Sequence, residues 1–136
     1  MRKVGIGQAL LAALWMAAAS AASPTEVQRS LEQTARATTP GFAGFSAHRG
    51  EKFFKSTHGG EWSCASCHTQ DPRASGRHAK TEKEIRPLSP VADPRRFTDP
   101  AKVEKWFRRN CNDVVGRACT PLEKGDVLAY VMSVRK

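Results

Sequence analysis

The feature that most constrains this chain is a short motif, Cys64-Ala65-Ser66-Cys67-His68. The spacing C-x-x-C-H is the attachment signature of a c-type haem. Thiols at this spacing can each reach one vinyl group of the haem, and the histidine that follows then becomes the proximal ligand of the iron. The motif predicts one covalent haem c, with thioether bonds from Cys64 and Cys67 and with His68 on the iron.

Two other uses of a C-x-x-C pair fit the sequence less well. A structural zinc site needs a second closely spaced pair of ligands, whereas the remaining cysteines, Cys111 and Cys119, stand far apart for that purpose. A thioredoxin-like redox pair occurs in a βαβ context. No stretch of the sequence alternates apolar and polar residues as a strand would, so haem attachment is the favoured interpretation.

The N-terminus has the pattern of a secretory signal. Arg2 and Lys3 precede an apolar run from Ala9 to Ala19, and small residues follow where a signal peptidase reads. The run is shorter than the roughly 20 residues that span a bilayer. We expect residues 1–22 to be cleaved, an uncleaved interfacial anchor being the alternative. The mature bacterial protein would be periplasmic and not inserted in a membrane, in a compartment where disulfides persist.

The charge of the chain narrows the classes of partner. Lys and Arg number 22 against 13 Asp and Glu, which gives a formal net charge of +9. Such a balance can favour nucleic acid, an anionic surface or an acidic protein. Nucleic acid is not expected for an exported chain without a basic module interleaved with aromatic residues. The remaining interpretations are an acidic docking partner and a simple gain in solubility.

Helix start signals recur along the mature chain. Three of them place a capping Ser, Asp or Thr directly before a proline, which is favoured at the first helical position. They predict helices that begin at Pro24, at Pro100 and at Pro121, the last running to about Val134. A fourth helix is expected from about Ser46 to Ser56.

The segment from Asp71 to Pro100 has too many prolines for a helix interior or a central strand. A loop of this length is expected in a small domain only if it wraps something. Because a chain of this size buries a modest core, a large apolar cofactor would supply the missing interior. We therefore predict an all-α fold of four or so helices around one haem, with a helical extension at 23–45 and a haem domain at 46–136.

These patterns leave the sixth ligand of the iron open. Small electron-transfer cytochromes c use methionine or histidine at this position. Outside the signal the sequence offers one methionine, Met132, which lies in the last helix where a core position is expected. His48, His58 and His78 are each more readily explained as solvated side chains. His78 is the most credible of the three because it lies in a loop that can cover the haem.

Asn110 is a further candidate for the sixth ligand. Val103, Trp106, Phe107, Asn110 and Val114 fall on one face of the helix predicted from Pro100, so the asparagine ends an apolar stripe. A buried amide must find a hydrogen-bond or metal partner. That partner is either a backbone group at the helix end or the iron, and the pattern leaves both open.

From about Gly50 to the C-terminus, the sequence resembles the sphaeroides haem protein family of high-spin class I cytochromes c. After the haem motif, RFTD, VEKW, RNCN, GR-x-C-TP and EK follow in the order of that family. The resemblance implies a class I cytochrome c fold, Asn110 as sixth ligand, and a disulfide between Cys111 and Cys119. The segment GRHAK departs from the family pattern, so His78 within it remains a rival ligand.

The resemblance also implies a function. We hypothesise that Asn110, a hard and neutral oxygen donor, binds ferric iron and leaves on reduction. O2, NO or CO would then bind in a pocket walled by Trp106 and Phe107. The implied redox partners are a dihaem cytochrome c and a membrane cytochrome b. Two alternatives remain, a plain electron carrier with a permanent ligand such as His78 and a haem enzyme that reduces O2 or NO. The expected docking residues are Arg95, Arg96, Lys102 and Lys105.

Overall fold

The computed structural model describes residues 21–135, so the predicted signal peptide lies almost entirely outside the described residues. No helix among them is long and apolar enough to cross a membrane. A two-stranded antiparallel sheet pairs Gly76 with Ile85. The elements are α1 Pro24–Thr38, α2 Ala47–Lys55, α3 Cys64–His68, β1 Gly76–Arg77, β2 Glu84–Ile85, α4 Pro100–Val115 and α5 Pro121–Ser133. The prediction of an essentially helical chain with few strands is confirmed.

The helix starts that the sequence predicts are confirmed, each by a side-chain cap. Ser23, Asp99 and Thr120 accept the backbone N–H of the residue three positions on, which satisfies one of the free donors of the first turn. The last helix ends at Ser133, one residue before the predicted Val134.

Three short elements were not predicted. Helix α3 has 5 residues and each strand has 2, so none of them is long enough to produce a periodic pattern of apolar residues. Helix α3 consists of the haem motif itself, and the two strands follow it. The segment expected to be a long irregular loop therefore contains a hairpin near its start.

The core forms where α2 crosses α5. Gly50 of α2 lies against the backbone of α5 so closely that a Cβ atom there would overlap the carbonyl oxygen of Asp126. Phe54, Leu128 and Val131 are almost completely buried around this crossing. Helix α1 packs against α5 as well. The helical extension thus contributes to the same core as the predicted haem domain.

Asp126 fixes the start of α2 against α5. Its buried carboxylate accepts the backbone N–H of Ser46 at 2.7 Å and the Nε–H of Arg49 at 2.7 Å. The same arginine donates through Nη2 to the carbonyl of Gly44 at 2.8 Å. A buried carboxylate is tolerated only with such partners, so this contact sets how α2 meets α5.

The crossing yields a stability prediction. Gly50→Ala should destabilise the protein by about 1–3 kcal/mol, because the added methyl group must push α2 away from α5. Lys52→Ala, at an exposed position of the same helix, should change the free energy of unfolding by less than about 0.5 kcal/mol. Denaturant unfolding of the two variants measures the difference. Equal stability of both would mean that the helices do not cross at Gly50.

Candidate haem-binding site

Helix α3 presents the haem motif as one capped turn. Ser63 precedes it, accepts the backbone N–H of Ser66 at 3.1 Å, and donates its own backbone N–H to the Ser66 hydroxyl at 2.9 Å. Cys64 and Cys67, three positions apart, project from the same side of this turn, and neither thiol is in a disulfide. The sequence therefore folds locally into the arrangement that two thioether bonds need.

The hairpin of β1 and β2 presses against α3. A Cβ atom at Gly76 would overlap the carbonyl oxygen of Cys67, so only glycine allows this approach. The backbone N–H of Ala79 lies 3.4 Å from the Cys67 sulfur. Sequence reasoning missed these two residues. The glycine in the GRHAK segment was the available signal, since a close backbone approach is one reason to find glycine in a strand.

Burial keeps the groups of α3 neutral. It raises the pKa of the Cys64 thiol to about 11 and lowers the pKa of His68 to about 4, with the positive charge of Arg96 as a second cause for the histidine. A neutral imidazole has a free lone pair for a metal ion. His68 is therefore in the protonation state that a ligand requires.

The donor set fits a covalent haem. Across residues 21–135, no three His, Cys, Asp or Glu side chains come together as an all-protein metal site would require. A haem iron takes only axial ligands from the protein, so one neutral histidine suffices on the proximal side. Two unpaired thiols on the preceding turn match the two attachment points. Cys64, Cys67 and His68 would hold the haem.

Asn110 lies well inside α4. The helix continues to Val115 and ends at Gly116, whose φ of 73° gives the left-handed cap that favours glycine. The Asn110 side chain is partly buried, and its amide makes no hydrogen bond within the part of the chain that the structure describes. The helix-end partner that the sequence left open is therefore not found among these residues.

The two flanks of α4 differ in how far other residues bury them. Phe107 and Cys111 share one flank, where Phe107 packs against the core and Cys111 is buried. At about 100° per residue, Trp106 and Asn110 share the adjacent flank. Trp106 is 50% exposed there, so few of the described residues cover this side. Val103 lies two turns before Asn110 on nearly the same face and packs against the core, so this face of α4 is open only near Trp106.

The exposure of Trp106 differs from the buried position that the apolar stripe predicts. Two cations lie near its ring, with Lys105 Nζ 5.9 Å and the Arg109 guanidinium carbon 5.2 Å from the ring centroid. Phe107 is the better buried of the two aromatic residues. The pocket roles of Trp106 and Phe107 stay predictions.

The rival ligands have other contacts. Met132 packs against the core, as its place in the last helix predicts. His48 is exposed on α2. His58 Nε2 lies 2.9 Å from the carbonyl oxygen of Phe53. His78 is exposed in the hairpin loop, where its Nδ1 accepts the backbone N–H groups of the residues at 80 and 81 at 3.3 and 3.2 Å. Its Nε2 is left free by these contacts.

Cys111 and Cys119 join the end of α4 to the start of α5. The structure pairs them as a disulfide, with Cα atoms 5.7 Å apart. Glu104 and Lys124 connect the same two helices through an ion pair at 2.7 Å. Because Cys111 follows Asn110 directly, the disulfide restrains the backbone that carries the amide.

Comparison with known proteins identifies relatives that are cytochromes c. A family model described as "Domain of unknown function (DUF1924)" matches residues 40–131. The cytochrome c-type protein SHP of Cereibacter sphaeroides is 52% identical over 89 residues, which are 62% of this chain and 68% of the relative. Cytochrome c'' of Methylophilus methylotrophus is 46% identical over 83 residues, which are 61% of this chain and 58% of the relative.

Solved structures of both relatives share the fold. Oxidised SHP, described as an oxygen-binding cytochrome c, superposes with a TM-score of 0.74 at 43% identity and covers 84% of this chain and 99% of its own. The solution structure of cytochrome c'', described in terms of haem-ligand detachment, gives a TM-score of 0.71 at 37% identity, covering 83% of this chain and 94% of its own. The expected fold is confirmed.

The cysteine pair at α4 yields a further stability prediction. Replacing both cysteines, in Cys111→Ser/Cys119→Ser, should destabilise the holoprotein by about 2.5 kcal/mol, because the variant loses the constraint on a short loop of the unfolded chain. A mild thiol reductant should lower the denaturation midpoint of the wild type and leave that of the variant unchanged. A wild type that is insensitive to the reductant would show that the two thiols are not joined.

Proposed function

The chain belongs to the sphaeroides haem protein family. We therefore propose that it is a periplasmic monohaem cytochrome c that transfers electrons and binds O2, NO or CO when reduced. The observation that carries the proposal is Asn110, a half-buried amide on α4 that makes no hydrogen bond with the other residues among 21–135. No buried side-chain polar atom among these residues lacks a hydrogen-bond partner, so the amide atoms of Asn110 are accessible and a haem iron could reach them.

The attachment side of the site belongs to α3. Cys64 and Cys67 would form the two thioether bonds, and His68 would donate its imidazole nitrogen on the proximal side. When bound, the haem supplies a redox-active iron with a second axial position that can take a small diatomic molecule. The hairpin, through Gly76, holds the backbone of Cys67 and so keeps the attachment turn in place.

Asn110 would occupy the second axial position in the oxidised protein. An amide oxygen is hard, neutral and weakly donating, so it favours ferric over ferrous iron. On reduction Asn110 would withdraw, and its freed N–H groups could donate to a diatomic molecule in its place. The oxygen binding described for SHP and the haem-ligand detachment described for cytochrome c'' support the same behaviour in this chain.

Phe107 and the disulfide would limit how far Asn110 moves. Phe107 anchors its flank of α4 in the core, and Cys111 ties the next position to the start of α5. Only the amide side chain is then free to leave the axial position, while the helix stays in place. Ligand release is thus expected to be a side-chain rotation rather than a helix movement.

Two variants separate Asn110 from its rival. Asn110→Ala should change the ferric absorption spectrum, because the oxidised protein loses its sixth ligand, and the reduced protein should still bind CO. His78→Ala should leave both the ferric spectrum and CO binding unchanged, since the proposal gives the exposed His78 no contact with the iron. Spectra of the oxidised, reduced and CO-treated proteins measure all of these outcomes.

The opposite pattern contradicts the proposal. If the ferric spectrum changed in His78→Ala and not in Asn110→Ala, His78 would be the sixth ligand, as expected for a plain electron carrier with a permanent ligand. Turnover of O2 or NO with a supplied reductant, at a rate unaffected by Asn110→Ala, would instead favour a haem enzyme.

Electron exchange should depend on the basic surface of α4. Lys102 has 75% of its side chain exposed, and Lys105 is exposed next to it. With a dihaem cytochrome c as partner, the transfer rate should fall as salt rises, and Lys102→Glu/Lys105→Glu should slow transfer by about tenfold at low salt. The control Arg29→Glu/Arg36→Glu makes the same charge change on α1 and should leave the rate unchanged. A salt-independent rate would remove the electrostatic part of docking.

A further inference from the structure

Three arginines surround one buried carboxylate in the loop between β2 and α4. Asp93 is 6% exposed and accepts the Nε–H of Arg86 at 2.8 Å. The Nε of Arg95 lies 3.4 Å from Asp93 Oδ1 and that of Arg96 lies 3.7 Å from Asp93 Oδ2. The charged cluster, Arg86, Asp93, Arg95 and Arg96, therefore keeps two positive charges in excess.

Arg96 differs from the other two arginines. Its side chain is 27% exposed, against 50% for Arg86 and 76% for Arg95. Its Nε donates to the carbonyl of Pro87 at 2.8 Å and its Nη2 to the carbonyl of Arg86 at 2.6 Å. Nη1 has no partner among residues 21–135. The loop thus holds one guanidinium in a fixed direction and leaves a donor available.

The loop that carries the charged cluster is fastened close to the proximal histidine. The backbone N–H groups of Leu88 and Ser89 both donate to the carbonyl of Pro72 at 2.8 Å, and Pro72 is almost completely buried four residues after His68. Leu88 and Phe97 of the same loop pack against the core. Arg96 is therefore placed by the same segment that leads away from the haem motif.

We propose that Arg96 binds a propionate carboxylate of the haem. Asp93 is a positioning residue, since its backbone carbonyl accepts the Arg96 N–H at 3.0 Å and its carboxylate lies 3.7 Å from Arg96 Nε. The inference rests on the proposed function, because it requires the haem. A haem carboxylate taken out of water needs a cationic partner, and the planar guanidinium fork matches a carboxylate. The 27% exposure assigns Arg96 to this internal role, in contrast to the docking role that the sequence predicts for it.

Paired variants with opposite signs of charge test the inference. Arg96→Gln removes a cation near the iron and should stabilise the ferric form. The ratio of ferric to ferrous protein at a fixed applied potential should rise on the order of fivefold. Asp93→Asn removes the anion and should lower this ratio. Arg95→Gln removes the same charge from the same loop at an exposed position, where solvent screens it, and should have a clearly smaller effect.

A second readout separates carboxylate binding from a general charge effect. The redox-induced infrared difference spectrum should have propionate carboxylate bands that shift in Arg96→Gln and also in Arg96→Lys, which keeps the charge and loses the fork. If Arg96→Gln cannot be purified, Arg96→Lys carries the test alone. Unchanged bands, or equal potentials in Arg96→Gln and Arg95→Gln, would overturn the inference.

Failure of this inference is distinguishable from failure of the proposed function. Suppose that Arg96→Gln contains one haem, and that adding Asn110→Ala to it changes the ferric spectrum as in the wild type. Unchanged carboxylate bands in Arg96→Gln would then contradict only the propionate contact. If the purified wild-type protein contained no covalent haem, the proposed function itself would be contradicted.

Discussion

The close crossing of α2 and α5 is the contact to which every part of the candidate site is fixed. Gly50 allows the two backbones to touch, and Asp126 ties the start of α2 to α5. The haem motif on α3 packs against α2, while the ion pair of Lys124 and the cysteine pair at Cys111 hold α4 to α5. The proposed proximal residue His68 thus depends on one helix of the crossing, and the proposed distal residue Asn110 depends on the other.

The two side chains that we propose as axial ligands are held with different rigidity. His68 is carried on a capped turn against which the hairpin packs, and burial holds its pKa near 4, so the proximal donor is neutral and fixed. Asn110 belongs to a helix that touches the core with its other flank, and its amide has no competing hydrogen bond within residues 21–135. A strong fixed donor and a weak free one are what the proposed ligand exchange on reduction would require.

The sequence predicts the long helices well, because their start signals are local. A cap before proline at Ser23 acts within a few positions. The C-x-x-C-H spacing is equally local, and the attachment residues that it indicates stay a prediction. The sequence did not predict the hairpin contact at Gly76 or the charged cluster around Asp93, because both depend on residues brought together by the folded chain. The 50% exposure of Trp106 was not predicted for a related reason: the stripe gives the face of α4 on which Trp106 lies, but its exposure depends on what covers that face.

The iron environment in the two redox states tests the central claim most directly. X-ray absorption at the iron edge counts the light atoms around the metal and gives their distances. We expect the oxidised wild type to have one more axial neighbour than the reduced wild type, and Asn110→Ala to have the lower number in both states. An unchanged number of neighbours on reduction of the wild type would contradict the release of Asn110.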